Sequence, residues 1–201
     1  MIAMVYFDYG GVLTEGGKKG FIGQTLGRLY GVPPETLDIA DLHLMLRRGK
    51  GSERLLFDRL NQRYGKQVTK EMFLAATEFV VPSQEVYDLA ARLRAHGIQT
   101  GILSNVFAMN VPDLKQRGAY EGFAPLILSC EVGYAKPDPE IYQLAIAEAG
   151  VAPNEIVFVD DQDKCLPPAE AAGMQVVQAI TPEQTVRDVT ALIAAQNGIV
   201  L

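Results

Sequence analysis

Residues 3–13 read AMVYFDYGGVL: an apolar run that ends in one acid, Asp8, followed closely by a pair of glycines. A continuous apolar stretch of this length, bounded by turn residues, suits a β-strand buried on both faces. Asp8 then stands at the carboxyl end of the strand, the edge where open α/β sheets bind their ligands. Gly10 and Gly11 let the backbone turn sharply and approach a ligand closely. By itself the pattern is better explained by an acid at the start of a surface turn.

The same pattern recurs downstream. Residues 98–103 read as a strand ending at Ser104-Asn105, residues 126–128 as a short strand, residues 156–159 as a strand running into Asp160-Asp161, and Val176-Val177 as the next. Helical signals separate them. Ser83 is a candidate cap for a helix carrying Val86, Leu89, Ala90 and Leu93 and stopped by Gly97. Residues 111–117 suit a short helix, and Asp138 is a candidate cap for another with Pro139 at its first position, which Gly150 ends. A further helix closes over residues 169–173, and Thr181 with Gln184 forms a capping box for a last helix ending near Gly198. Strands alternating with helices predict a parallel sheet with helices on both faces. Right-handed crossovers put every strand's carboxyl end on one edge. That edge collects Asp8, Ser104, Asn105, Asp160 and Asp161.

Between the first strand and this series lies a stretch with helical patterns and no convincing strand, from Phe21 to about Val80. Phe21, Ile22, Leu26 and Leu29 form a stripe that stops at Gly31, and Pro33-Pro34 breaks the chain. Residues 37–46 predict a second helix, Ser52 caps a third that stops near Gly65, and Thr69 caps a fourth with Phe73, Ala76 and Val80 on one face. The glycine-rich, charged residues 15–20 form a loop, and residues 47–51, Arg-Arg-Gly-Lys-Gly, a basic turn.

Composition narrows the function. The chain has 201 residues, 48% hydrophobic and 21% charged, with a formal net charge of −6. That is the profile of an ordinary globular chain, and it argues against a nucleic-acid-binding surface. Two cysteines, Cys130 and Cys165, make neither a disulfide framework nor a zinc or redox pair, so a reducing cytoplasm is the expected home. The first residues lack the pattern of a signal peptide, and no apolar run is long enough to span a bilayer, so no membrane association is expected.

Asp160-Asp161 closes a wholly apolar strand. Burying two adjacent carboxylates costs several kcal/mol unless a cation compensates. With Asp8 they form an all-oxygen site suited to Mg²⁺; two solvated turn acids are the alternative. Ser104 and Asn105 could donate to a phosphoryl oxygen or cap the next helix. Lys136, between a turn and a helix start, could point one charge at an anion or lie on the surface.

In this order, Asp8 after an apolar strand, Ser104-Asn105, Lys136 in KPDPEIY and Asp160-Asp161 in VFVDDQD resemble the four motifs of the haloacid dehalogenase-like hydrolase superfamily. The resemblance implies an α/β, Rossmann-like core over residues 1–14 and 82–201, with a small all-helical cap inserted at residues 15–81. It implies that Asp8 is a nucleophile forming an aspartyl phosphate, that Mg²⁺ is held by Asp8, the Gly10 carbonyl and Asp161 with Asp160 in support, and that Ser104, Asn105 and Lys136 bind the phosphoryl group. The resemblance makes Asp8 and Lys136 the catalytic pair. The implied substrate is a small phosphorylated metabolite, handled by a monomer or a homodimer.

This sequence departs from the pattern at Gly10, where phosphatases of the superfamily carry a second aspartate as general acid–base. The carbonyl needed for metal binding survives, and the proton-transfer group does not. Either another group supplies the proton, the substrate has an easy leaving group, or turnover is slow. The loss opens two further readings, carbon–halogen cleavage by Asp8 and a non-catalytic binding module. Cys165 stands where relatives place a polar residue that steadies the lysine, which predicts weaker support there. The turn at residues 47–52 resembles the cap loop that faces the site in small-capped relatives, with Arg48 and Lys50 as candidates for a substrate carboxylate or second phosphate, and residues 15–19 form a second loop over the rim. His43 and His96 fall in predicted helices away from the rim.

Overall fold

The computed structural model describes residues 1–15, 20–77 and 80–201. Its centre is β1 (Met4–Phe7), four residues all fully buried. β1 pairs in parallel with β2 (Gln99–Ser104) on one side and with β4 (Ile156–Asp160) on the other. β3 (Leu126–Leu128) and β5 (Gln175–Gln178) complete a five-stranded parallel sheet of order β3-β2-β1-β4-β5. The predicted α/β architecture is the observed one. The order reverses between β1 and β4, and crevices at such a switch point lie outside the strands' carboxyl ends.

Side chains alternate across a strand, so β1 serves two cores. Val5 and Phe7 pack with Val86, Leu89 and Leu93 of α5 (Gln84–Ala95) and Val189 and Ile193 of α10 (Pro182–Asn197). Met4 and Tyr6 pack on the other face with Ile141, Tyr142 and Ala145 of α8 (Pro139–Ala149) and Ala169 of α9 (Leu166–Ala171). Each such large side chain contributes about 1.5–3 kcal/mol by leaving water. This two-sided burial is why β1 reads as an unbroken apolar run.

The helical stretch forms α1 (Phe21–Tyr30), α2 (Ala40–Arg47), α3 (Glu53–Tyr64) and α4 (Lys70–Thr77). Leu26, Tyr30, Leu46, Leu56, Leu60 and Phe73 bury against one another, and Phe107 and Met109 from the loop after β2 join them. The chain enters and leaves this stretch side by side: Glu15 N–H donates to the Val81 carbonyl and Ser83 N–H to the Leu13 carbonyl, both at 2.9 Å. Of the loop at residues 15–19, all but Glu15 lies outside the described residues.

Several local expectations shift. The second helix starts at Ala40 rather than residue 37, because a 3₁₀ turn over Pro34–Thr36 and Asp38 at φ 48° intervene. It also runs one residue further, to Arg47. Ser83 precedes α5 but makes no cap bond; its hydroxyl is buried and has no hydrogen-bond partner among the described residues. Asp138 precedes α8 and does not cap it either, since its carboxylate is held by Arg48 and the Ala135 N–H. Ser52 and Thr181 do cap, accepting from the N–H groups of Arg54 and Gln184. After β2 come α6 (Val111–Gln116) and, directly after β3, the single turn α7 (Ser129–Val132), which no sequence signal announced.

Candidate active site

Asp8 follows β1, and its N–H continues the ladder to the Val159 carbonyl at 2.9 Å. Asp160 is the last residue of β4 and Ser104 the last of β2, so the two neighbours of β1 bring polar groups to the same rim. One ligand oxygen from each of Asp8, Asp160 and Asp161 lies within 4.8 Å of the others.

The Lys136 side chain is fully buried and reaches into this group. Its Nζ lies 2.5 Å from Asp160 Oδ2, 3.1 Å from Asp8 Oδ1 and 2.8 Å from the Leu103 carbonyl. An ammonium has three protons, and here each has an acceptor. Nζ also lies 5.0 Å from the centre of the Phe158 ring. Burial works against the lysine's charge, but Asp160 and Asp8 outweigh it and hold the pKa above the ordinary lysine value. Burial also lifts Asp160 to about 6, against the pull of Lys136, so the pair is ionised at neutral pH. The second Asp160 oxygen accepts from Gln162 N–H at 2.7 Å, leaving Asp161 as the member of the pair not tied to the lysine.

The lysine is held from behind by Asn105. Its side-chain oxygen accepts from Lys136 N–H and its nitrogen donates to the Lys136 carbonyl, both at 2.8 Å. The sequence suggested that Asn105 donates to a phosphoryl group; in the structure both ends of its amide are engaged in positioning Lys136. Ser104 lines the cavity above the rim, as do Asp8, Tyr9 and Gly10. Cys165 is buried and does not touch the lysine as a hydrogen-bond partner; burial pushes its thiol up to about 12. The weaker support predicted for Lys136 is therefore not what the structure shows, since three oxygens and the Asn105 clamp hold it.

Asp8 Oδ1 accepts from Tyr9 N–H at 2.7 Å as well as facing Lys136. Gly11 takes φ +83°, and a Cβ there would stand 2.8 Å from Asp161 Cγ and Oδ2. The turn can therefore lie against the Asp161 carboxylate only with glycine at this position. Among the described residues three carboxylates converge here, and a donor set made only of oxygen fits a hard divalent cation.

The cavity has a volume of about 1070 Å³ and is walled by the sheet rim below and by residues of α1, α2 and α6. Two of its residues were given no individual role from the sequence. Arg47, at the end of α2, and His43, one turn earlier, both line it. His43 packs edge-on against Phe107, with ring centres 5.2 Å apart, and burial together with the charges of Arg47 and Lys164 lowers its pKa to about 4. Placing His43 away from the rim was thus incorrect; His96 is exposed at the end of α5. Of the candidates in the basic turn, Lys50 is exposed, and Arg48 forms a two-pronged ion pair with Asp138 at 2.7–3.0 Å.

A family model described as haloacid dehalogenase-like hydrolase matches residues 2–173. The chain belongs to this hydrolase family. Among curated members, it is 30% identical over 132 residues to the glyceraldehyde 3-phosphate phosphatase of Methanopyrus kandleri, a match covering 61% of this chain and 57% of that protein. It spans only 11% to 20% of other, longer curated relatives. Among solved structures, a predicted HAD-like hydrolase from Porphyromonas gingivalis superposes with a TM-score of 0.79 at 27% identity, covering 96% of this chain and 98% of the other. A HAD family enzyme from Bacteroides thetaiotaomicron, solved with magnesium and inorganic phosphate, shares the fold with a TM-score of 0.74 at 24% identity, covering 89% and 94%. Within the described residues, no helix of the chain is long and apolar enough to cross a membrane.

Proposed function

We propose that this chain is a Mg²⁺-dependent phosphatase of a small phosphorylated metabolite, with Asp8 as the nucleophile. The observation that carries the reading is the buried Lys136 ammonium set between Asp8 and Asp160, with the Asp161 carboxylate beside them. The phosphatase relative from Methanopyrus and the magnesium–phosphate complex of the Bacteroides enzyme are consistent with it. Mg²⁺, held by Asp8, Asp161 and the Gly10 carbonyl with Asp160 in support, would neutralise charge on the phosphoryl oxygens.

In this reading Tyr9 N–H and Lys136 fix Asp8 Oδ1, which orients the carboxylate towards phosphorus. Of the three lysine contacts, the one to Asp8 is the longest, and an incoming phosphoryl oxygen displaces it most readily. Ser104, at the rim, donates its hydroxyl to a second phosphoryl oxygen. Asp8 forms a bond to phosphorus as the bond to the leaving oxygen breaks. Position 10 has no side chain to protonate that oxygen, so it takes its proton from water, and substrates with easily expelled groups react fastest. Water then attacks phosphorus, releasing inorganic phosphate and regenerating Asp8. Residues 1–14 and 82–201 act as the catalytic core, and residues 15–81 as a cap that covers the cavity and selects the substrate.

The test is phosphate release from p-nitrophenyl phosphate with Mg²⁺, with EDTA, and with Asp8→Asn. Release that needs Mg²⁺ and Asp8 supports the proposal. Release unaffected by Asp8→Asn refutes the assignment of the nucleophile, and chloride release from 2-chloropropionate in EDTA would favour carbon–halogen cleavage instead.

A further inference from the structure

The cavity above Asp8 holds a cation that the steps above do not use. Arg47 is partly buried at the carboxyl end of α2 and shares the cavity wall with Asp8 and Ser104. Its guanidinium makes no hydrogen bond or ion pair among the described residues. The neighbouring arginines differ: Arg48 is paired with Asp138, Arg59 with Asp41, and Arg117, also on the cavity wall, with Asp113. A guanidinium taken partly out of water without an acceptor is costly, and its five donors call for an oxyanion. Burial lowers the Arg47 pKa, and the Asp8 and Cys165 side chains oppose that; an arginine nonetheless keeps its charge.

The turn behind Arg47 is anchored on the core at two points. Arg48 grips Asp138, two residues after Lys136, through three contacts of 2.7–3.0 Å. Gly49, at φ +63°, lies so close to the Cys130 carbonyl that a Cβ would collide with it. The end of α2 is therefore fixed relative to Lys136 and the rim, and Arg47 is presented from a rigid mount.

We propose that Arg47 recognises a carboxylate on the substrate, so that the preferred substrates are phosphomonoesters of small hydroxy acids. This rests on the phosphatase reading and adds the second point of attachment. A planar carboxylate meets the guanidinium fork through two parallel hydrogen bonds. The charge count favours it over a second phosphate: one guanidinium matches one monoanion, and Arg117 is already occupied by Asp113.

The experiment uses matched pairs. For the full chain with Mg²⁺, kcat/KM is measured for 3-phosphoglycerate against glycerol 3-phosphate, and for glucose 1,6-bisphosphate against glucose 1-phosphate. Wild type should prefer the carboxylated member of the first pair, and Arg47→Ala should lower that preference roughly 10- to 100-fold, mainly through KM. Arg47→Lys, which keeps the charge without the fork, should fall between the two. Because each ratio is taken within one variant, a general loss of folded protein cancels. An unchanged ratio in Arg47→Ala overturns the proposal, as does a collapse confined to the bisphosphate pair. Calorimetric binding of 3-phosphoglycerate and glycerol 3-phosphate to Asp8→Asn, with and without Arg47→Ala, separates this from the phosphatase reading. If no compound is hydrolysed, that reading fails, while loss of the binding preference on removing Arg47 still supports the carboxylate site and its persistence overturns it.

Discussion

Replacing Lys136 by methionine removes one charge and keeps most of the side chain's volume. In the folded protein the change leaves Asp160 Oδ2, Asp8 Oδ1 and the Leu103 carbonyl, now 2.5–3.1 Å from Nζ, facing an apolar methyl group. Breaking a buried ion pair by deleting one partner costs about 3–5 kcal/mol, because the remaining charge is stranded. For a chain of this size each kcal/mol shifts Tm by about 2–4 °C, so the expected fall is roughly 6–20 °C at pH 8. The pH dependence has a definite sign. Asp160 already has a folded pKa of about 6, above that of an unfolded aspartate, and loss of Lys136 raises it further. A carboxyl group of that kind stabilises the fold as pH falls through its folded pKa, because the folded state then binds the extra proton. The deficit of the variant relative to wild type should therefore shrink between pH 8 and pH 5. Adding Asp160→Asn to Lys136→Met should cost less than the sum of the two single changes. Calorimetric Tm values at both pH values decide the matter: a fall below about 2 °C at pH 8, or an equal deficit at both, would show that the cage around Lys136 is not the charged arrangement described here.

Gly10→Asp should accelerate hydrolysis of alkyl phosphates more than of p-nitrophenyl phosphate, by up to about 10²-fold for the former, since only the poor leaving group needs the proton; equal effects in steady-state kinetics would mean that proton supply does not limit the reaction. Asn105→Ala frees the Lys136 backbone from both of its side-chain bonds and should lower stability by about 1–3 kcal/mol in urea unfolding, with kcat falling as the lysine loses its position. His43 has a folded pKa of about 4, below its unfolded value, so the unfolded chain takes up a proton first as pH drops from about 6.5 to about 4 and the fold is weakened in that window. His43→Leu should accordingly lose less Tm than wild type between pH 7.5 and pH 5.

The rim was legible in the sequence because a polar residue that closes an apolar strand in a parallel sheet has one place to go. Asp8 follows such a strand and Ser104 and Asp160 end theirs; the structure gathers Asp8, Asp160 and Asp161 with Lys136 and sets Ser104 beside Asp8 on the cavity wall. That Arg47 rather than Arg48 faces the cavity was not legible, because successive residues at a helix end point about 100° apart and one residue of helix length decides which arginine does so. The helix was expected to stop at Leu46; it runs to Arg47, so Arg47 lines the cavity and Arg48 turns to Asp138. That ion pair is 90 residues apart in sequence and removes Asp138 from its expected cap, a competition that local patterns do not register. His43 was misplaced for a similar reason: the helix was predicted, but its rotation about its axis depends on contacts such as the one with Phe107.

Phosphoryl transfer to Asp8 is tested most directly by trapping the intermediate. The protein is mixed with Mg²⁺ and a substrate labelled at the phosphoryl group, quenched in acid within a single turnover, digested and mapped. The label should appear on the peptide containing Asp8 and be absent from the Asp8→Asn variant. Phosphate release without any label on that peptide, or label persisting in Asp8→Asn, would contradict the account.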